Sequence, residues 1–308
     1  MRGQNLMSDI VIGLIGGTGL GEAIADGDGE RLAVETPFGY PSSEILTTRW
    51  QGVDVAILQR HGPGHVHNPS KVPYRANIFA LKKLGVTHII ASGACGSLRE
   101  EVRPRDLVIA DQVIDKTSRR PNTFYESAAV HVEFSQPFCP VMRAWLLEAK
   151  HGARTDKRLS KLDAIGVHDG GTYVCMEGPQ FSTKAESEMH RGWGGDLIGM
   201  TVMPEAKLAR EAEMAYALIA MSTDYDCWRP HDPGMSEQAL LEEIIENLRA
   251  ATDNSIALIR AALSDLTILR ERPSPAHEAL NLAIWTAKEL IEPDEVERLA
   301  PLWGRCFE

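Results

Sequence analysis

Along most of this chain a short apolar run ends in glycine or a polar cluster and gives way to a segment of helical spacing. Strands that are apolar on both faces must be covered by helices on both sides. The alternation therefore reads as one α/β domain with a central mixed, twisted β-sheet flanked by helices. "DIVIGLIGG" (Asp9 to Gly17) is a buried strand entering a turn, and "EILTTRWQGVDVAILQRHG" (Glu44 to Gly62) is a hairpin whose second arm ends on a basic pair. "VPYRANIFALKKLG", "CPVMRAWLLEAKHG", "KAESEMHRGWG" and "PEAKLAREAEM" have helical spacing. "VTHIIASGACGSL", "RPRDLVIADQVID", "GGTYVCMEGPQFST", "DLIGMT" and "YALIAMSTD" are strand-like between them. "SEQALLEEIIENLRAATDNSIALIRAAL" is a long amphipathic helix. The domain spans residues 9–263. "RERPSPAHE" (Arg270 to Glu278) connects it to a C-terminal helical extension within 264–308, to which the sequence assigns no role.

The composition, 44% hydrophobic and 24% charged over 308 residues, is that of a globular chain long enough for one large core. A net charge of -11 without any lysine or arginine run argues against nucleic acid as a partner. Five scattered cysteines, Cys95, Cys139, Cys175, Cys227 and Cys306, include no Cys-x-x-Cys pair. A reduced, cytoplasmic chain fits better than a disulfide scaffold or a zinc site. No apolar stretch reaches membrane-spanning length. The N-terminal "MRGQNLMSDIVIGLIGGTGL" imitates a signal peptide, but Asp9 interrupts it, so it reads as a short leader with the start at Met1 or Met7.

Chemistry collects at the strand ends. "GLIGGTGLGEA" fits the dinucleotide pattern G-x-G-x-x-G only loosely, and a turn-rich segment follows where that fold needs a helix, which disfavours an NAD-binding oxidoreductase. Bare glycine amides beside the Thr18 hydroxyl still make a small-anion loop. Arg60 and His61 close the hairpin arm, where an arginine fork suits phosphate oxygens. His61, His65 and His67 share a Gly-Pro-Gly loop with no carboxylate or cysteine, so an anion is favoured over a metal. "ASGACGSL" ends a strand in small residues that expose amides to a ligand. In "MEGPQFST", Phe181 sits in a turn beside Glu177 and Ser182, placed to stack on a flat ring. "GMT" brings a thioether and the Thr201 hydroxyl. In "TDYDCW", Asp224 and Asp226 project to one side if the strand continues, and two such close charges call for a ligand. A solvated turn or a helix cap is the plainer use of Asp-x-Asp. Phosphate, sugar and base make one ligand for the whole set.

"IGGTGL", "RHGPGH", "NPSKVPYRANI", "ACGSL", "MEGPQFSTKAES", "GMTVMPEAKLARE" and "TDYDCW", in this order from about Ile10 to Leu263, resemble the methylthioadenosine phosphorylases of the trimeric purine nucleoside phosphorylase family. The resemblance implies a phosphate site of Thr18, Arg60, His61, Gly93, the Ala94 amide and Thr201. It implies Met200 against ribose, Phe181 under the base, and Asp224 with Asp226 reading a 6-aminopurine. It further implies His131 lent by a neighbouring subunit of a homotrimer. Leu240 and Leu241, on the helix after the acidic pair, are placed to wall the 5' pocket. The sequence departs from the family at three points. Gly93 replaces a common threonine, Gly199 a common asparagine, and Glu237 an apolar residue near the methylthio group.

The implied reaction is phosphorolysis of 5'-methylthioadenosine to adenine and 5-methylthioribose 1-phosphate, with inorganic phosphate as co-substrate and no metal or organic cofactor. Arg60 holds the phosphate that attacks C1'. Asp224 delivers a proton to N7, kept protonated by a neighbouring carboxylate in a partly desolvated pocket. A phosphorylase for adenosine or methylthioinosine, and a non-catalytic nucleotide-binding module, are the rival readings.

Overall fold

The computed structural model describes residues 10–20, 23, 28–152, 166–230, 234 and 236–307; the proposed leader lies outside them. Strands β1 (Ile12–Gly16), β2 (Glu30–Leu32), β3 (Ile45–Trp50), β4 (Val53–Gln59), β5 (His88–Ser97), β6 (Leu107–Ile109), β7 (Gln112–Asp115), β8 (Val167–Asp169), β9 (Thr172–Cys175), β10 (Leu197–Gly199) and β11 (Ala215–Asp224) form one mixed sheet. The expected hairpin is β3 paired antiparallel with β4, Leu46 opposite Ile57.

The sheet branches at β5. One path runs β2-β3-β4-β1-β5-β10-β9-β7, while β11 also pairs with β5 and leads through β6 to β8. The first half of β5 lies between two parallel neighbours, with His88 opposite both Ile12 and Ala215. Its second half keeps β11 and takes antiparallel β10 on the other side, with Gly96 opposite Ile198.

Helices α1 (Tyr74–Lys83), α2 (Pro140–Gly152), α3 (Lys184–Gly192), α4 (Val202–Glu211) and α5 (Glu237–Leu263) follow the predicted spacing, and α6 (Thr267–Glu271), α7 (Pro293–Arg298) and α8 (Ala300–Trp303) lie beyond them. Gly85, in the left-handed region at φ 81°, ends the α1 segment as the glycine stop requires. Thr183 and Glu186 cap α3 reciprocally, and the Ser236 hydroxyl accepts from the Ala239 N–H at the start of α5.

The two faces of β11 show why it reads as a continuous apolar run. Tyr216, Leu218 and Ala220 enter the core layer that contains Ile78, Phe79 and Leu208, whereas Ala217, Ile219 and Met221 enter the layer that contains Trp145, Leu258 and Leu263. Neither face meets water. No helix of the described residues is long and apolar enough to cross a membrane.

The C-terminal segment is helical as expected, but it is not an appendage. Leu280, Leu299, Leu302 and Trp303 are buried in the first core layer, and Trp303 lies 4.7 Å from the Tyr125 ring.

Candidate active site

Arg60, Thr201, Asp224 and Asp226 gather around Ser92–Gly96 of β5. At the amino-terminal end of this stretch, a Cβ on Gly17 would stand 2.6 Å from Arg60 Nη1 and 2.7 Å from the Ser92 carbonyl oxygen. Only glycine lets the β1 turn come this close to the guanidinium. Half-buried Thr18 follows directly. Thr201, which precedes α4, places its hydroxyl 3.6 Å from where a Cβ on Gly93 would lie. The hydroxyl missing at Gly93 is therefore flanked by the one on Thr201, and half-buried Ala94 adjoins both.

Arg60 has no solvent exposure. Its Nε and Nη2 donate to the two oxygens of Glu205 at 2.7 Å each, and its Nη1 donates to the Ser92 carbonyl at 2.7 Å. The Tyr216 hydroxyl also donates to Glu205, at 2.8 Å. Burial alone would lower the guanidinium's proton affinity, but the charge and hydrogen bonds of Glu205 outweigh it, and the pKa is raised. Three of the five guanidinium N–H groups are thus engaged by the described residues, and the Nη1 edge faces the glycine turn. His61 differs. Burial, and then the charge of Arg60, push its pKa down to about 4, so the neutral ring donates from Nδ1 to the His67 carbonyl at 2.7 Å. The positive charge of this corner belongs to Arg60.

At the other end of the stretch stand the two aspartates. They do not alternate along a continuing strand, as the sequence suggests. The pairing of β11 with β5 shifts between Ser222 and Asp224, the strand stops at Asp224, and Asp226 turns into the left-handed region at φ 47°. They converge nevertheless: a Cβ on Gly96 would lie 3.2 Å from Asp226 Cβ and 3.4 Å from Asp224 Oδ2. Asp224 Oδ2 accepts from the Asp226 backbone N–H at 2.9 Å, and its Oδ1 accepts from the Thr223 hydroxyl at 2.6 Å. The neighbour therefore answers Asp224 with an N–H. The carboxylate of Asp226 is itself taken up by the Ser187 hydroxyl at 2.5 Å.

Between these ends, half-buried Met200 lies over Gly178, whose Cβ would stand 2.5 Å from its sulfur. Phe181 is 85% exposed in the turn before α3. Gly199 leaves no hole in place of a larger residue, because the Tyr173 hydroxyl lies 1.8 Å from where its Cβ would be. Leu240 lines a cavity of about 240 Å³ together with Thr223, Asp224 and Asn247, whereas Leu241 is exposed, as is Glu237 in the first turn of α5. His131 is apart from these groups within the chain. It is exposed, its N–H donates to the Ala283 carbonyl at 2.8 Å, and its ring meets Trp285 at 4.7 Å.

Sequence reasoning missed the residues that hold the site in shape. Arg120, which is buried, donates to Glu177 Oε1 at 3.0 Å and to the carbonyls of Glu177, Met200 and Met203 at 2.6 Å each. Burial pushes the Glu177 carboxyl up, but hydrogen bonds from Ser70, Ser118 and Arg120 outweigh it and hold the pKa at about 2. Glu177, read from sequence as a turn residue, is one end of this brace. An acid on the buried side of a helix, such as Glu205 between Pro204 and Ala206, was the available signal.

The chain as a whole is similar to known proteins. A family model described as the phosphorylase superfamily matches residues 11–264. The S-methyl-5'-thioadenosine phosphorylase of Cereibacter sphaeroides is 46% identical over 299 residues, covering 96% of this chain and 98% of its own. That of Chloroflexus aurantiacus is 47% identical, covering 98% and 100%. Among solved structures, a methylthioadenosine phosphorylase from an antarctic soil metagenomic library matches with a TM-score of 0.84 at 44% identity, over 96% of this chain and 99% of that one. The methylthioadenosine phosphorylase from Schistosoma mansoni in complex with adenine matches with a TM-score of 0.79 at 34% identity, over 91% and 100%. By sequence and by fold, the chain belongs to the phosphorylase superfamily and, within it, to the family of the S-methyl-5'-thioadenosine phosphorylases.

Proposed function

We propose that this chain catalyses the phosphorolysis of 5'-methylthioadenosine to adenine and 5-methylthioribose 1-phosphate. One observation carries the reading. The anion corner at Gly93 and the acidic pair at Gly96 both meet β5, about 10 Å apart along its backbone at the rise of an extended strand, although an odd separation turns the two Cβ positions to opposite faces. That distance suits a pentose between a phosphate and a purine. Positive charge developing on the pentose at C1' is met by phosphate held against Arg60, and the phosphate is also the nucleophile. Asp226 accepts from the 6-amino group, and Asp224, entering the reaction as the neutral acid, gives its proton to N7 as adenine leaves and ends as a carboxylate held by the Thr223 hydroxyl and the Asp226 N–H. Phe181 and Met200 supply the base platform and the sugar contact. The reaction needs no metal or organic cofactor, since Arg60 already supplies the cationic charge.

The active form in this reading is a cytoplasmic homotrimer in which His131 closes the 5' pocket of a neighbour. Trp285, 73% exposed, packs on the His131 ring, and Leu282, 92% exposed, lies in the same segment, so this surface offers apolar side chains for a partner subunit to cover. Phosphate-dependent release of adenine from methylthioadenosine tests the activity, and no release in the presence of phosphate refutes it. Sedimentation tests the assembly, and a fully active monomer refutes that part. A preference for adenosine or methylthioinosine is the second reading. It is favoured by Glu237 in the first turn of α5, where a carboxylate replaces an apolar wall and can accept from a 5'-hydroxyl.

A further inference from the structure

The side chain of Asp226 is fixed from a different part of the chain. Ser187, in the second turn of α3, has no solvent exposure, and its hydroxyl donates to Asp226 Oδ2 at 2.5 Å. Asp226 itself sits beyond the end of β11 in a left-handed conformation, so its backbone alone does not hold the carboxylate on course. Oδ1 has no hydrogen-bond partner among the described residues. α3 is in turn pinned by the reciprocal cap of Thr183 and Glu186, two residues after Phe181.

We propose that Ser187 is a positioning residue for base recognition. Its hydroxyl takes one oxygen of Asp226 and leaves the other for the exocyclic amino group. It also ties the carboxylate that reads the purine edge to the helix whose leading turn carries Phe181. Face and edge of the base are then located by one rigid element. This inference rests on the reading that Asp226 faces the purine.

The test compares methylthioadenosine with methylthioinosine, which differ at the 6-position. Ser187→Ala removes a hydrogen bond to a charged group, so kcat/KM for the 6-amino substrate falls about tenfold or more, while that for the 6-oxo substrate does not change. Ser187→Cys, close in volume and a weaker donor, gives an intermediate loss. In an Asp226→Ala background, Ser187→Ala has no further effect on the preference. Equal losses on both nucleosides, an undiminished 6-amino preference in Ser187→Ala, or an undiminished effect in the Asp226→Ala background would each overturn the proposal. Calorimetric binding of adenine and hypoxanthine separates this failure from failure of the catalytic reading. If wild-type chain shows no turnover, weakened adenine binding with unchanged hypoxanthine binding in Ser187→Ala still supports the positioning role, and unchanged adenine binding removes it.

Discussion

Arg60 and Glu205 face each other as a two-pronged ion pair with no solvent exposure on either side chain, at 2.7 Å for both contacts. Removing either partner leaves a buried charge unanswered. Glu205→Gln is therefore expected to cost about 3–5 kcal/mol of folding stability, measured by denaturant unfolding. Arg60→Ala carries the same penalty, so loss of activity in that variant alone says little about phosphate. The cleaner measurement is the phosphate-dependent rise of Tm, which follows from binding to the folded state. Arg60→Lys keeps the charge but not the fork, and most of that rise is expected to disappear. A full phosphate response in Arg60→Lys removes Arg60 from the anion site.

Gly199 and Tyr173 are expected to behave as a pair. Gly199→Ala drives a methyl group into the Tyr173 hydroxyl and ring, and overpacking of this kind costs about 1–3 kcal/mol. Shortening the obstacle in Tyr173→Leu/Gly199→Ala should recover most of the loss. If thermal unfolding shows the two substitutions simply adding, the contact is not what keeps position 199 free of a side chain.

The two aspartates should separate in kinetics. Asp224→Asn still donates a hydrogen bond but cannot give up a proton, so kcat for methylthioadenosine is expected to fall by roughly 10²–10⁴ with KM little changed. Asp226→Asn should lower the preference for 6-amino over 6-oxo nucleosides more than it lowers kcat. If both variants lose activity in proportion to a common loss of Tm, the acidic turn is structural and the roles are wrong.

Glu211 gives a pH dependence of known sign. Burial raises its pKa from the ordinary 4.5 to about 7, against hydrogen bonds from Phe124 and Thr123 that act the other way. The folded chain therefore holds this proton over a range in which the unfolded chain has lost it. The associated stabilisation is complete below about pH 4.5 and is lost as pH rises through about 7. In Glu211→Gln the amide oxygen still accepts from the Phe124 N–H, which bonds the native carboxylate at 2.8 Å, but nothing titrates. The stability difference between wild type and this variant should fall by roughly 3 kcal/mol across that window. A flat difference contradicts the assignment.

Periodicity was enough to read β3, β4, β5 and β11 and the helices that cover them, because each follows from a local rule of spacing. Most of the candidate site residues were picked out because an apolar run gives way to a turn there. The pairings across the chain could not: Arg60 with Glu205 and Arg120 with Glu177 join segments far apart in sequence, and although a helical acid among apolar neighbours flags Glu205, nothing local names its partner. Asp226 was misplaced because a shift in pairing and a left-handed residue end the alternation one step early. The C-terminal extension could be given no role because Leu299, Leu302 and Trp303 are spread among charges and proline, with too few residues for a period to show.

The shared register of β5 makes its backbone a ruler. Gly93 and Gly96 lie on one continuous strand, so the interval between them can be lengthened only by an insertion that disrupts the pairing with β11. The distance from nucleophile to leaving group is then a property of the sheet and not of the side chains that decorate it. In the proposed reading, only the 5' end of the nucleoside, beside the exposed first turns of α5, lies off that ruler. Changes that broaden or narrow the substrate range are expected to collect between Glu237 and Leu241, and selection for longer 5' substituents, followed by sequencing of the variants that gain activity, should find them there and not on β5.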